Sequence, residues 1–219
     1  MSLLQTAPAA PSLEGRALMA AKRGVDIAMA GSFFLLFGWA YALVWIGVLL
    51  SSGRPAIYMQ PRYGKNGRVF RFYKFRSMVA DADGVLARHL REDAAARLQW
   101  AKYQKLDRDP RITPFGAILR KYSIDELPQF WNVLIGDMSV VGPRPPLPKE
   151  VREYDGKVYR RLFIKPGITG LWQVSGRSDL SWEESVRLDL RYVENWSITS
   201  DLMIMWRTAK VMVAPKGAY

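Results

Sequence analysis

Residues 27–50 have the sequence IAMAGSFFLLFGWAYALVWIGVLL, a run without a charged side chain. At about 1.5 Å per helical residue, a helix of this length can cross a hydrocarbon core of about 30 Å. A cleaved signal peptide is a poor alternative, because its apolar region is usually shorter and is followed by a small-residue cleavage site. The run therefore predicts one N-terminal membrane helix.

Both flanks of this apolar run are basic. Before it stand Arg16, Lys22 and Arg23, and after it stand Arg54, Arg62, Lys65, Arg68 and Arg71. A spanning helix would place the more basic C-terminal side in the cytoplasm and the basic N-terminal side outside. A re-entrant helix would keep both flanks on one face, although only glycines and no proline mark a bend. We interpret the helix as re-entrant, and the sequence leaves the spanning topology open. Asp26, at the mouth of the run, is expected to pair with Lys22 or Arg23.

The remaining composition limits the chemistry. The chain has 219 residues and a formal net charge of +12, so we expect one globular domain with an anionic, phosphate-bearing partner. It contains no cysteine, which excludes disulfides and thiolate catalysis. Its one histidine, His89, lies in a stretch that predicts a solvated helix face, so histidine-based catalysis is not expected.

Local patterns predict an α+β fold that is mostly helical and contains a small β-hairpin. Residues 56–60 and 69–75 flank an Asn66-Gly67 pair, which is typical of a hairpin turn. Residues 80–105 carry alanine, leucine and alternating charges at helical spacing, which predicts one or two exposed helices. We divide the chain into a disordered tail (1–21), a membrane-inserted helix (22–53) and a main domain (54–219).

Two helices are predicted near the C-terminus. Residues 181–184 form a capping box for a helix that reaches Asn195, and Ser200 or Asp201 could cap a second helix. The tryptophans of this region suit either the bilayer interface or the protein core, and the sequence leaves both open. They are Trp182, Trp196 and Trp206.

The segment SIDELPQ, residues 123–129, carries two adjacent carboxylates. Ser123 and Glu126 fit a capping box, so Asp125 is expected at a helix N-terminus. There the helix dipole and nearby cations favour the charged form, and Asp125 should be ionised at neutral pH. An ionised carboxylate can attack phosphorus, but the simpler interpretation is that Asp125 and Glu126 only cap the helix.

Basic residues in rigid loops are the other candidates. Arg144 lies in VGPRPP, where glycine and prolines hold the backbone and present a guanidinium suited to phosphate oxygens. Residues 165–177, KPGITGLWQVSGR, contain glycines that permit close approach of a ligand. Lys74 and Arg76, in KFRSM, could equally face anionic lipid headgroups.

These blocks occur in one order: KRxxD from Lys22, then KFRSM, DPRIT, SIDELPQ, NVLxGDMSxVGPRP, PGITGxxQVxGR and WSITSDL. Together they resemble the monotopic bacterial sugar transferases, the polyprenyl-phosphate phosphoglycosyl transferases that start exopolysaccharide, O-antigen or glycoprotein glycan assembly. The resemblance is to the short form and extends from Lys22 to Val213. The chain departs from the family at Gly38-Trp39, where Ser-Pro is common, and at Lys165, where arginine is common.

The resemblance implies a reaction. A sugar 1-phosphate would pass from a UDP-sugar to undecaprenyl phosphate, giving undecaprenyl-diphospho-sugar and UMP, with Mg²⁺ as cofactor. Asp125 would be the nucleophile that forms a covalent aspartyl phospho-sugar, Glu126 would support it, and both would be metal ligands. The implied phosphate- and substrate-binding residues are Arg144, Arg120, Lys74, Arg177 and Asp201.

The same resemblance makes residues 54–219 a catalytic domain on the cytoplasmic face of the bacterial inner membrane, in contact with its lipid. No nucleic acid partner is expected, a homodimer stays open, and the sequence does not identify the sugar. The alternative is a non-catalytic, membrane-tethered basic protein that binds anionic lipid or nucleic acid. Such a protein would explain the charge and the apolar run, but it would not require the carboxylate pair.

Overall fold

The computed structural model describes residues 12–176 and 180–213. The fold is mainly helical with two small sheets, which confirms the predicted α+β class. The chain forms two compact units, each assembled from separate segments. The first unit comprises Met1–Gly38, Met59–Tyr73 and Pro128–Tyr219, and the second comprises Trp39–Tyr58 and Lys74–Leu127.

Helix α1 (Leu13–Ser52) has 40 residues and contains the whole apolar run. Residues 13–21, which we predicted as part of a disordered tail, are helical, since α1 already begins at Leu13. The predicted extent of the membrane-inserted segment, residues 22–53, stays a prediction. The predicted disorder of residues 1–11 lies outside the described residues. By length and composition α1 could cross a membrane, and only 6% of its most apolar window is buried.

The hydrogen-bonded helix of α1 continues through Gly31 and Gly38 without interruption. A re-entrant path would therefore need a bend within a continuous helix. Glycine provides less resistance to such a bend than other residues, but proline, the usual cause of a sharp kink, does not occur between Leu13 and Ser52. The topology stays a prediction.

The predicted β-hairpin is confirmed. Strands β1 (Ile57–Tyr63) and β2 (Val69–Phe75) form a two-stranded sheet. In the turn, Asn66 has a φ of 57° and Gly67 a φ of 74°. A type I′ hairpin turn requires positive φ at both central residues, which asparagine and glycine adopt at low cost.

The second unit contains three further helices, α2 (Ala82–Glu92), α3 (Ala94–Tyr103) and α4 (Pro114–Lys121). Residues 80–105, for which we predicted one or two exposed helices, thus contain two, α2 and α3. Each of the three has a side-chain cap, because Asp81, Asp93 and Thr113 accept a hydrogen bond from the first turn. The core of this unit joins the end of α1 to α4 and includes Val48, Phe75 and Leu119.

The first unit contains a parallel strand pair that we did not predict. Strand β3 (Ser139–Val141) pairs with β4 (Gly167–Thr169), with Ser139 opposite Gly167. The short helices α5 (Gln129–Ile135) and α6 (Pro148–Val151) lie on either side of β3 in sequence. Strands of three residues carry no periodic signal, and this pairing joins distant parts of the chain.

The C-terminal helices are α7 (Trp182–Glu194) and α8 (Ile198–Val213). The capping box that opens α7 is confirmed, since Ser181 and Glu184 each bond the other's backbone N–H. The predicted cap of α8 is wrong: Ser197 Oγ accepts from Ser200 N, and Asp201 lies inside the first turn.

The tryptophans of this region divide between core and surface. Trp196 packs against the core of the first unit, which includes Phe70, Val133 and Ile204. Trp182 is 45% exposed and Trp206 is 64% exposed. Neither the bilayer interface nor the protein core therefore explains the positions of all three tryptophans.

Candidate active site

The carboxylate pair lies in a 3₁₀ turn, Ile124–Glu126, that precedes α5. The predicted capping box is wrong, because Ser123 has a φ of 56° and its side chain makes no capping hydrogen bond. Helix α5 begins only at Gln129. Asp125 is therefore not at the N-terminus of a long helix, and no helix dipole of that kind stabilises its charge.

Asp125 is buried, with 8% of its surface exposed, beside one lysine. The Lys74 ammonium lies 3.8 Å from Asp125 Oδ2 but 2.6 Å from Glu126 Oε1. Burial raises the pKa of Asp125 to about 6, while the charges of Lys74 and Arg120 oppose that rise. The carboxylate is thus mostly ionised at neutral pH as expected, but desolvation and not a helix dipole dominates its titration.

Arg120, at the end of α4, is held in place by Ser77. Its Nε donates to Ser77 Oγ at 2.8 Å, and the Ser77 carbonyl accepts from Thr113 N at 3.1 Å. Gly116 allows this close packing, because a Cβ on that residue would collide with the Ser77 carbonyl. The KFRSM segment therefore supplies Lys74 and also holds Arg120, in the last turn of α4, in place.

Arg144 belongs to the first unit and lies in a loop whose backbone is tied down. Pro145 O accepts from Arg62 Nη1 at 2.9 Å, and Pro146 O accepts from Tyr63 N at 3.1 Å. Arg144 Nη1 donates to both oxygens of Glu150, at 3.1 and 3.2 Å. The loop backbone is hydrogen-bonded, which agrees with the rigidity expected from its glycine and prolines. No local sequence pattern indicated that Glu150 pairs with Arg144.

Asp201 also belongs to the first unit, where it accepts three hydrogen bonds. They come from Lys22 Nζ at 2.5 Å, from Tyr192 OH at 2.6 Å and from Trp196 Nε1 at 3.1 Å. Its predicted role as an active-site carboxylate stays a prediction. In the structure this side chain joins α1 to α7 and α8.

The other charged residues of the KRxxD block also join α1 to the first unit. Arg23 donates to Val133 O and Leu134 O, at the end of α5. Asp26 accepts from Ser139 Oγ at 2.9 Å and from Val140 N at 2.8 Å. The expected pairing of Asp26 with Lys22 or Arg23 is wrong, because β3 provides better-placed donors. Sequence spacing within one helix contains no information about such a partner.

The predicted site residues thus fall into three groups. Lys74, Arg120, Asp125 and Glu126 come together in the second unit, and Arg144 and Asp201 lie in the first unit with partners of their own. Arg177 lies outside the described residues. The side chains that sequence reasoning missed are Ser77 and Glu150, which orient the two arginines.

The carboxylate pair can be tested for its fit to Mg²⁺. Among the described residues, no group of three or more acidic, histidine or cysteine side chains could hold a metal ion. Mg²⁺ in phosphoryl-transfer enzymes is commonly held by one or two carboxylates together with substrate phosphates and water. Asp125 and Glu126 fit that kind of shared site and do not form an all-protein cage.

The sequence profile of the bacterial sugar transferases matches residues 17–215. The chain therefore belongs to the bacterial sugar transferase family, as the resemblance predicted. The undecaprenyl-phosphate galactose phosphotransferase of Salmonella typhimurium is 46% identical over 90% of this chain and 41% of its own length. The exopolysaccharide production protein ExoY of Rhizobium meliloti is 42% identical over 91% of this chain and 88% of its own length.

A third relative is the UDP-glucose:undecaprenyl-phosphate glucose-1-phosphate transferase of Escherichia coli. It is 37% identical over 90% of this chain and 41% of its own length. The chain thus spans about two fifths of the length of several curated relatives, and most of the length of ExoY.

Proposed function

We propose that this protein transfers a sugar 1-phosphate from a UDP-sugar to undecaprenyl phosphate, with release of UMP. Membership of the bacterial sugar transferase family supports the class of reaction, and the names of the relatives support the lipid acceptor. The observation that carries the proposal is Asp125 itself. It is a buried carboxylate, only loosely paired, between the positive charges of Lys74 and Arg120.

In the first half-reaction, an oxygen of Asp125 attacks the sugar-bearing phosphorus of the UDP-sugar. A bond forms between the carboxylate oxygen and phosphorus, and the bond from phosphorus to the bridging oxygen breaks. UMP leaves with that oxygen and its electron pair. The product is an acyl phosphate in which the phosphorus still carries the sugar.

In the second half-reaction, a phosphate oxygen of undecaprenyl phosphate attacks the same phosphorus. The bond to Asp125 breaks and the carboxylate is regenerated. Neither step requires transfer of a proton, because both attacking oxygens are already anionic. The proposed chemistry therefore needs no general base, which agrees with a sequence that contains a single histidine.

Charge neutralisation is the main contribution of the surrounding residues. The positive charges of Lys74 and Arg120 reduce the electrostatic repulsion between the Asp125 carboxylate and the diphosphate of the substrate. Glu126 holds the Lys74 ammonium beside Asp125. Arg144 is a fork-shaped donor on a rigid loop and is proposed to bind phosphate oxygens. Mg²⁺, when bound, would add positive charge at the diphosphate.

The site of action is proposed to be the cytoplasmic face of the bacterial inner membrane. The apolar run of α1 supports contact with a membrane, since Leu35 and Leu50 are 86% and 84% exposed and suit a lipid environment. The cytoplasmic face is proposed from the basic residues on both flanks of that run. The alternative of a non-catalytic, membrane-tethered protein would use the same helix. Only turnover separates the two.

The decisive experiment measures exchange of labelled UMP into UDP-sugar without any polyprenyl phosphate. UDP-galactose and UDP-glucose are the first donors, because the names of the Salmonella and Escherichia coli relatives specify these sugars. The covalent route predicts exchange by the wild type and ping-pong kinetics when the lipid is added. Asp125→Asn should abolish both, with a loss of at least about 10³-fold, because an amide provides no anionic oxygen.

The matched control is Asp107→Asn, which removes an exposed carboxylate of the same unit and should retain exchange. Sequential kinetics without exchange in the wild type would rule out Asp125 as a nucleophile. Turnover of no UDP-sugar, with lipid affinity retained, would favour the non-catalytic alternative.

A further inference from the structure

The C-terminal half of α1 has one side that packs inside the second unit. Val48 and Ser52, which are one helical turn apart, are 0% and 6% exposed there. Val48 belongs to the core of this unit together with Phe75 and Leu119. The opposite side of the same turns is apolar and exposed, and it comprises Leu43, Ile46 and Leu50. The end of the apolar helix is therefore also part of a protein core.

Helix α4 begins against this buried side, next to a glycine. A Cβ on Gly47 would lie 2.7 and 2.8 Å from the Cζ and Cε1 atoms of Phe115, in the first turn of α4. Carbon atoms do not approach so closely, so a larger residue at position 47 would displace the Phe115 ring or α4 itself. A hydrogen bond of 3.3 Å also joins Ser52 Oγ to Thr113 Oγ1, which caps α4 by accepting from Gly116 N at 2.9 Å. The start of α4 is thus fixed to the end of α1 at two points.

The other end of α4 carries an arginine of the candidate active site. Arg120 lies in the last turn of α4, and its carbonyl accepts from Ser123 N at 3.1 Å. Ser123 O accepts in turn from Glu126 N at 3.2 Å, which closes the turn that contains Asp125. The apolar side chains at this turn pack against the same core as Val48, and they are Ile124 and Leu127. The turn therefore has its own anchorage, and a shift of α4 would move Arg120 relative to Asp125.

The Arg120 guanidinium is fixed at one edge and open at the other. Its Nε donates to Ser77 Oγ, whereas Nη1 and Nη2 have no hydrogen-bond partner or ion pair among the described residues. Two terminal nitrogens on a guanidinium that is held in place suit the oxygens of a phosphate. How well they meet a substrate depends on where α4 holds the backbone of Arg120, since a misplacement of about 1 Å can reduce a rate by about a hundredfold.

We propose that the end of α1 sets where α4 holds Arg120. The positioning contacts are the packing of Phe115 on Gly47 and the hydrogen bond between Thr113 and Ser52. The simpler explanation is that these contacts only stabilise the fold. The inference deepens the proposed function and rests on it, because Arg120 acts there by neutralising phosphate charge. It gives the end of α1 a part in catalysis besides contact with a membrane, since a change in the position of this helix reaches Arg120 through α4.

The first test is a size swap in the full-length protein, measured by exchange of labelled UMP into UDP-sugar. Gly47→Ala should slow this exchange at least about tenfold, because it displaces α4 and misplaces Arg120. Phe115→Leu removes the outer ring atoms, so the double variant Gly47→Ala/Phe115→Leu should recover most of the rate. Ser52→Ala should slow the exchange by about twofold to fivefold, which corresponds to the loss of one neutral hydrogen bond.

Two comparisons separate positioning from general damage to the fold. In an Arg120→Gln background, Gly47→Ala should have little further effect, because the position of an absent guanidinium cannot matter. The matched control is Gly24→Ala, which makes the same replacement in α1 where a Cβ would meet no atom within 4 Å, and its rate should be unchanged. A loss that Phe115→Leu does not reverse, or one that persists in full without Arg120, would overturn the inference. So would wild-type activity in Gly47→Ala.

Amide hydrogen exchange followed by mass spectrometry tests the same contacts without any reaction. The peptide that contains Ser123, whose N–H is bonded to Arg120 O, should exchange faster in Gly47→Ala and return to the wild-type rate in the size swap. The amides of α3 should be unchanged. A wild type without UMP exchange would count against the proposed function, whereas unchanged protection of Ser123 in Gly47→Ala would overturn the inference by itself. Near-ultraviolet circular dichroism verifies that each variant is folded, and Ser52→Ala replaces Gly47→Ala in every comparison if the latter is unfolded.

Discussion

Asp125 of the second unit and Asp201 of the first unit are almost equally buried, with exposed fractions of 8% and 7%. They differ in their hydrogen bonds. Asp201 accepts from a lysine, a tyrosine and a tryptophan, all at 3.1 Å or less. Asp125 has the Lys74 ammonium at 3.8 Å, and that ammonium is closer to Glu126. One carboxylate is satisfied by its surroundings, while the other is desolvated without full compensation.

Under the proposed function, hydrogen-bond satisfaction therefore separates the reactive carboxylate, Asp125, from the structural one, Asp201, better than burial does. A third carboxylate, Asp189, shows that a raised pKa is not by itself a sign of reactivity. Burial raises its pKa to about 6, as for Asp125, yet it is paired with Arg161 at 2.6 Å and is 1% exposed. A raised pKa therefore identifies a candidate only when a substrate can reach the group.

Replacement of Asp201 should have the largest effect on stability. Asp201→Asn leaves the Lys22 ammonium buried without its charge partner, which should lower the free energy of unfolding by about 3–5 kcal/mol. Chemical denaturation in mild detergent measures this, with Asp107→Asn as control. A stable variant that has lost turnover would instead place Asp201 in the active site and break the comparison.

Replacement of Asp125 should have the opposite effect on stability. Burial raises the pKa of Asp125 from 3.8 to about 6, so the folded state binds this proton more tightly than the unfolded state. The resulting stability is complete below pH 3.8 and is lost as the pH rises through 6. Asp125→Asn cannot ionise and should raise the free energy of unfolding at pH 7.5 by up to about 3 kcal/mol.

The gain should shrink at pH 5, where the wild-type carboxyl is largely protonated in the folded state. Denaturation curves of wild type and variant at the two pH values measure the difference. A variant that is less stable than the wild type at pH 7.5 would show that the Asp125 carboxylate is satisfied after all.

The comparison extends to arginines that pair with glutamate in the first unit. Arg144→Lys keeps the charge but loses the planar fork, so kcat/KM should fall by about 1.5–3 kcal/mol, which is roughly tenfold to 150-fold. Arg160 pairs with Glu194 at 2.8 Å on the surface, and Arg160→Lys is the matched control. Steady-state kinetics with equal losses in both variants would make Arg144 a structural residue.

The smallest expected effect is the pH dependence of the wild type. Asp125 must be ionised to act as the proposed nucleophile, so kcat/KM should fall on the acid side of an apparent pKa near 6, by about tenfold for each pH unit below it. In Asp201→Asn, if it folds, the position of this limb should be unchanged. A limb near pH 4 would mean that the Asp125 carboxylate is solvated in the working enzyme.

Local features of the fold were predictable because their signals lie within a few residues. The Asn66-Gly67 turn and the Ser181 capping box follow from backbone preferences and short hydrogen bonds. The cap of α8 was predicted at the wrong residue because Ser197, Ser200 and Asp201 are all good capping residues, and only geometry selects Ser197.

The non-local features could not be predicted. Strands β3 and β4 are three residues each, and the partners of Asp26 and Asp201 are more than a hundred residues away or in another helix. For the candidate site, the motif identified Asp125 and Glu126, but the degree of burial depends on packing that no local pattern encodes. The cause of the raised pKa of Asp125, which is burial, is therefore visible only in the structure.

The contacts of the KRxxD block also limit how the protein can be shortened. Deletion of α1, the obvious way to obtain a water-soluble fragment, would also remove Lys22, Arg23 and Asp26. Asp201 would then be buried without its ammonium, and the end of α5 and the N–H of Val140 would lose their side-chain partners. The N-terminal half of α1 thus belongs to the packing of the first unit, and a water-soluble variant should keep this helix and replace its exposed apolar residues instead.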